Sequence, residues 1–135
     1  MPFIRTSVHQ DTSLPQRNAI VHAIHEALIQ AIGMPADELF NMVTTYHSEE
    51  FFFSRTFNGY ARSDRPVVIE ITMRRGRSDA MKRELYRLIA KNISEGASIN
   101  TSDIFIFTHE NDYSDWSVGG GNFAMNIKQQ VGGEG

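Results

Sequence analysis

The chain has 135 residues, 41% of them apolar and 10% aromatic, with a net charge of −3 and no Cys. That length gives one domain with apolar mass enough for its own core, and the composition excludes a disordered or collagen-like chain, disulfides, thiolate metal sites and cysteine nucleophiles. The mild negative charge argues against a nucleic-acid partner, and no apolar run approaches the ~20 residues of a membrane helix.

The opening Met1-Pro2-Phe3-Ile4-Arg5 has no basic segment leading into an apolar one, so no signal peptide is expected and the chain reads as a cytoplasmic globular protein. Residues 2–8 read as a strand. Ser13 is a good N-cap, with Pro15 in the first helical turn, where its missing N–H costs nothing. Ile20, Val21, Ile24, Ala27, Leu28, Ala31 and Ile32 then recur at helical spacing, and Gly33 with Pro35 just beyond ends the helix. Residues 39–46 are strand-like, residues 51–53 suggest a short added ribbon, and Asn58-Gly59 signals a turn. Residues 67–73 form a second β-branched run. Ser78 caps a second helix with Met81, Leu85, Leu88, Ile89 and Ile93 on one face, and residues 104–108 make a fourth strand.

The two halves match without a gap. Ile4 aligns with Ile69, Ser13 with Ser78, Ile24 with Ile89 and Phe40 with Phe105, at a constant offset of 65. The pattern predicts an α/β fold (α+β in some schemes) of two tandem βαβ units, about 2–46 and 67–108, each joining parallel strands. Four strands with both helices on one face leave apolar residues on the other, which predicts a symmetric oligomer. The domain is expected over 1–121. Gly119-Gly120-Gly121 reads as a flexible joint, residues 122–131 as a segment packing on a neighbour, and residues 132–135 as a frayed end.

Several residues are candidates for chemistry. Removal of the initiator Met would turn Pro2 into a secondary amine at the start of a strand. Such an amine titrates near ~8 when unperturbed and serves as acid or base near neutrality. Arg74-Arg75-Gly76-Arg77-Ser78 lies where a strand ends and a helix begins. Ligands favour the carboxyl ends of parallel strands, helix N-termini attract anions, and guanidinium forks hold carboxylates bidentately. The run is therefore either a carboxylate site or a solvated basic turn. Its counterpart in the first half, His9-Gln10-Asp11-Thr12, has no such cluster. Strand alternation points Arg74 away from Arg75, so Arg74 is expected to matter less than its neighbour. Asp37 and Glu38 would orient a water or hold a proton, or else serve as loop carboxylates. His25 sits on the polar stripe of the first helix with Asn18 and His22. No metal site is expected, because no His–carboxylate cluster occurs at ligand spacing. Tyr60, Arg62, Tyr113 and Trp116 are loop residues of binding character.

Together, Pro2, Gly33-Met34-Pro35-Ala36-Asp37-Glu38, Gly59-Tyr60-Ala61-Arg62-Ser63, Arg75-Gly76-Arg77-Ser78 and Asp115-Trp116-Ser117 resemble the tautomerase superfamily, and within it the malonate semialdehyde decarboxylases. The resemblance runs from Pro2 to about Gly121. It implies an enzyme that acts on a small 2- or 3-oxo carboxylic acid through an amino-terminal proline, as a decarboxylase with or without hydratase activity. The alternatives are a keto-enol tautomerase with Pro2 as base and an oligomeric binding protein that has lost the chemistry. Carried over, Pro2 is the catalytic amine, and Glu38 stands where the decarboxylases have an aspartate, with Asp37 beside it. Arg75 and Arg77 match the decarboxylases' arginines, whereas Arg74 and Arg77 match the pair of the related cis-3-chloroacrylic acid dehalogenases. Trp116 joins the substrate-binding set, and His25 falls near the dehalogenases' helical histidine. The resemblance implies a homotrimer and no cofactor.

Overall fold

The structure is a computed structural model and describes residues 2–124. The expected behaviour of the chain after residue 124 lies outside the described residues. Four strands, β1 (Phe3–His9), β2 (Asn41–Tyr46), β3 (Val67–Arg74) and β4 (Ile104–Asn111), form one sheet in the order β2-β1-β3-β4. β1 and β2 are parallel, β3 and β4 are parallel, and the central β1–β3 pair is antiparallel. The tandem βαβ reading holds, and the two units meet back to back along their first strands.

Helix α1 (Leu14–Ile32) begins where the Ser13 side chain accepts the Gln16 N–H at 3.2 Å. It ends where Gly33 turns left-handed (φ 68°) and its N–H reaches the Ile29 carbonyl. Helix α2 (Asp79–Ala97) starts the same way, with Ser78 accepting from Met81 N–H at 3.2 Å. Each such cap stabilises its helix by about 1 kcal/mol. α2 ends on Ser98 in the left-handed region (φ 56°), without a glycine. The helices lie side by side, joined by Gln16 Nε2 to the Ala97 carbonyl and Asn92 Nδ2 to the Ala23 carbonyl.

The helices cover one face of the sheet. Ile4, Val8, Ile69, Ile71 and Met73 point into this layer against Ile24, Leu28, Leu85, Ile89 and Ile93, all buried. A Leu or Ile cut back to Ala here costs about 2–5 kcal/mol. Met81 departs from the expected apolar face: it lies in the first turn of α2 and is exposed.

Residues 47–66 cross the second face, and here the sequence reading needs correction. Residues 51–53 add no strand. Their rings stack instead of their backbone pairing. From His9 and Tyr46 the series runs through Phe51, Phe53, Phe105 and Phe107 to His109, with neighbouring centroids 4.3–6.2 Å apart. Phe52, between two stacked rings, points out and is 94% exposed. The Asn58-Gly59 turn forms as expected, with both residues at positive φ. Among the described residues, no helix is long and apolar enough to cross a membrane.

Candidate active site

The topology decides what meets at each end of the sheet. Because β1 runs antiparallel to β3, the start of β1 lies beside the end of β3: Phe3 pairs with Thr72. Because β1 and β2 are parallel, the loop entering β2 lies at that same end, where the Ile4 N–H binds the Phe40 carbonyl at 2.9 Å. Because β3 and β4 are parallel, the turn after β4 joins them: Arg74 pairs with Asn111. Pro2, the 36–40 loop, the arginine run and the 111–116 turn therefore converge from four separate stretches of chain.

Pro2 is fully buried. It lines a narrow crevice with Ile4, Ile24, His25, Leu28, Glu38, Leu39, Phe40 and Asn41. Glu38 is half-buried on that crevice, whereas Asp37 is exposed and takes no part in it. Both carboxylates lie in the loop before β2, which begins at Asn41 rather than at residue 39.

The arginines sort differently from the expectation. Arg75 turns outward, and its Nε donates to Asp112 Oδ1 at 2.8 Å. That bond and the Asp112 charge push its pKa up from the ordinary value. Arg77 is half-buried, and its Nη1 donates to the Arg74 carbonyl at 2.9 Å. Its pKa is pushed down, first by burial and then by the Arg74 cation, against opposing pulls from Tyr113, Glu110 and Glu38. The Arg74 guanidinium stacks 5.0 Å from the Tyr113 ring centroid. The reason is local. Gly76 (φ 121°) reverses the chain after β3 and leaves Arg74 and Arg77 as neighbours. Arg74, not Arg75, is thus the companion of Arg77.

Two cations side by side, one of them partly desolvated, favour an anion between them. Glu38, on the Pro2 crevice, adds the smallest of the pulls on Arg77, so the crevice and the arginine pair lie at the same end of the sheet. Trp116 is half-buried and tied into the β4 turn, with Nε1 donating to Asn111 Oδ1 at 2.7 Å. It flanks the arginine run without lining the crevice. Among the described residues, no three His, Asp or Glu lie close enough together to hold a metal ion.

His25 departs from its expected place on a polar stripe. It is half-buried on the crevice, with Nε2 2.8 Å from the Ala36 carbonyl. Sequence reasoning missed Asn41 and Thr6 altogether. The buried Thr6 hydroxyl donates to Asn41 Oδ1 at 3.0 Å. The available signal was the alternation of β1: Thr6 falls between Ile4 and Val8 on the helix-facing side, where a polar residue needs a partner.

The comparisons with known proteins agree with this architecture. Residues 38–119 match the family model described as "Tautomerase enzyme". The probable tautomerase YusQ of Bacillus subtilis (strain 168) is 30% identical over 125 residues, covering 93% of this chain and 98% of the relative. A crystal structure of FG41 malonate semialdehyde decarboxylase inhibited by 3-bromopropiolate superposes with a TM-score of 0.88 at 28% identity, covering 96% of this chain and 98% of that one. A second malonate semialdehyde decarboxylase, whose structures are presented as a basis for decarboxylase and hydratase activities, gives a TM-score of 0.87 at 25% identity over the same shares. With a family match over more than half its length and a relative aligned nearly end to end, the chain belongs to the tautomerase family.

Proposed function

We propose that the chain is an enzyme for small 2- or 3-oxo carboxylic acids, in which Pro2, freed by removal of Met1, is the acid–base group. Arg77 with Arg74 holds the substrate carboxylate. Glu38 is the carboxylate that sets the protonation of Pro2. The carrying observation is that Pro2, with Glu38 on its crevice, lies at the end of the sheet where Arg74 and Arg77 come together. Arg75 is engaged with Asp112 and stands outside the clamp.

Opposed effects tune the amine. Burial and the arginines disfavour its cation, and Glu38 favours it. With Glu38 on the same crevice, we take the protonated amine as the resting form. It then polarises the carbonyl of a 3-oxo acid. The bond to the carboxylate carbon breaks, its electron pair moves through the enol to the carbonyl oxygen, and that oxygen takes the proton from Pro2. Carbon dioxide leaves, and the enol becomes the aldehyde as its hydroxyl proton returns to Pro2 and the carbon that lost CO2 takes a proton from water. The same cation would assist addition of water. A second reading has support in YusQ being a probable tautomerase: a neutral Pro2 takes the proton of an enol hydroxyl and a proton is delivered to carbon. The half-exposed aromatic face of the sheet supports a homotrimer in either case.

Titration of isotope-labelled Pro2 by 15N NMR, with turnover of malonate semialdehyde and phenylenolpyruvate, tests this. A pKa above the ordinary ~8 of an amino terminus, with decarboxylation, is expected; a pKa below it with enol turnover selects the tautomerase. Intact mass showing Met1 retained in the native protein overturns both and leaves a non-catalytic binding protein.

A further inference from the structure

Asp112 and Tyr113 follow one another in the turn after β4, and they hold two arginines of the run by different means. Asp112 takes Arg75, its Oδ1 accepting from Nε at 2.8 Å. Tyr113 takes Arg74, whose guanidinium carbon lies over the ring at 5.0 Å from the centroid. The two anchors leave their arginines in opposite states. A carboxylate cancels the charge of the cation and occupies its donors. A ring face attracts the same cation through its quadrupole and leaves both the charge and the N–H groups for another anion. Among the described residues, no carboxylate makes an ion pair with Arg74 or Arg77. The turn that carries Tyr113 is itself fixed. Asp112 N–H donates to Asp115 Oδ2 at 2.8 Å, Trp116 Nε1 donates to Asn111 Oδ1 at 2.7 Å, and Arg75 N–H binds the Asn111 carbonyl at 2.7 Å. Tyr113 is half-buried, and it also pulls on Arg77, so the ring stands near both cations.

We propose that Tyr113 is a positioning residue whose ring holds Arg74 beside Arg77 without spending the Arg74 charge, so that residues 112 and 113 together decide which arginine of the run serves the substrate carboxylate. This rests on the reading of Arg74 and Arg77 as the clamp and deepens it. An arginine left to itself samples many rotamers, and ordering it before the anion arrives lowers the entropic cost of binding. A carboxylate at 113 would instead pair with Arg74 and withdraw it from the clamp, as Asp112 withdraws Arg75.

The test is a double-mutant cycle, read by steady-state kinetics on whichever of malonate semialdehyde and phenylenolpyruvate the wild-type protein turns over. Tyr113→Leu is expected to raise KM about three- to tenfold, the range of a lost cation–π contact, with kcat within about twofold. Tyr113→Phe keeps the ring and should stay within about twofold of wild type in both. In an Arg74→Ala background Tyr113→Leu should cost nothing further, whereas in an Arg75→Ala background its full cost should remain. A merely structural role would lower the melting temperature and add in full to Arg74→Ala. A second measurement uses wild-type protein and so stands even where a variant fails to fold: the 15Nε order parameter of Arg74 is expected above ~0.6, the mark of an ordered group. Full additivity with Arg74→Ala, a Tyr113→Phe as damaging as Tyr113→Leu, or a freely rotating Arg74 side chain overturns the inference, while losses in Arg74→Ala and Arg77→Ala keep the clamp. Unchanged kinetics in both of those arginine variants, or no turnover of either oxo acid by wild-type protein, removes the clamp and this inference with it.

Discussion

The two ends of the sheet are built from the same parts and finished differently. Each receives the starts of two strands, the ends of two others and the first turn of a 19-residue helix capped by serine. At the His9 end, the polar groups bind one another. His9 Nε2 meets Ser48 Oγ at 2.7 Å, Tyr46 donates to the Pro66 carbonyl at 2.6 Å, and Ser63 gives both its N–H and its hydroxyl to buried Asp103 at 2.7 Å. Arg17 donates to the Thr12 and Gln10 carbonyls. At the Pro2 end, His25 Nδ1 and Asn41 Nδ2 have no hydrogen-bond partner among the described residues, and Arg74 and Arg77 stand side by side. At the first end the buried polar side chains find partners, and at the other two buried polar atoms do not. The duplication supplies a scaffold, and the difference between its halves supplies the site.

Swapping perturbations between the ends breaks or sharpens this contrast. The largest effect is expected from Pro2→Ala, which should lower kcat/KM on the turned-over oxo acid by about 10²–10⁴-fold, the range of a lost acid–base group. Pro66→Ala at the other end should stay within about twofold, as steady-state kinetics will show. Next, Arg77→Ala should cost about 10–150-fold, corresponding to a charged hydrogen bond of roughly 1.5–3 kcal/mol, and Arg74→Ala should follow it. Arg75→Ala should change kcat/KM by less than about threefold, because an exposed ion pair to Asp112 contributes little. A larger loss in Arg75→Ala than in Arg74→Ala would reverse the assignment of the clamp.

The His9 end should answer in stability instead. Asp103→Ala leaves the Ser63 N–H and hydroxyl without their acceptor and should destabilise the fold by about 2 kcal/mol in urea unfolding, with kcat unchanged. The smallest effect concerns Tyr46. Burial, then the Asp103 charge, raises its pKa to about 12, against ~10 in an unfolded chain. The unfolded form therefore loses the proton first. The contribution is complete below pH ~10 and is lost as pH rises through about 12. Tyr46→Phe should flatten that alkaline fall, followed by phenolate absorbance and circular dichroism.

Much of the fold was legible because its signals are local. Serine caps, helical spacing and β-branched runs located all six main elements, and the offset of 65 exposed the duplication. The ends of the elements were less legible: β4 runs on to Asn111, through polar residues that the apolar pattern does not mark. Residues 51–53 misled because three successive aromatics satisfy strand propensity and ring stacking equally well. Pro2, Glu38 and Arg77 were legible as residue types. The placing of Arg74 rather than Arg75 beside Arg77 was not, because alternation holds within a strand and stops at the turn through Gly76 just beyond its end. Nor was Asn41, whose unpartnered nitrogen only packing reveals.

The left-handed turn at Gly76 bears on how such a site changes over generations. A Cβ there would find room, its nearest neighbour being Arg74 Nη1 at 3.7 Å, but a φ of 121° is one that side-chain-bearing residues rarely adopt. An uncharged replacement at this position is expected to shift the turn between Arg74 and Arg77 while leaving the count of charges untouched. The arginines on either side sit in conformations open to any residue, so a substitution there carries no backbone penalty. The glycine has no such neighbouring solution, so lineages that diversify their substrates are expected to vary the cations and keep the turn.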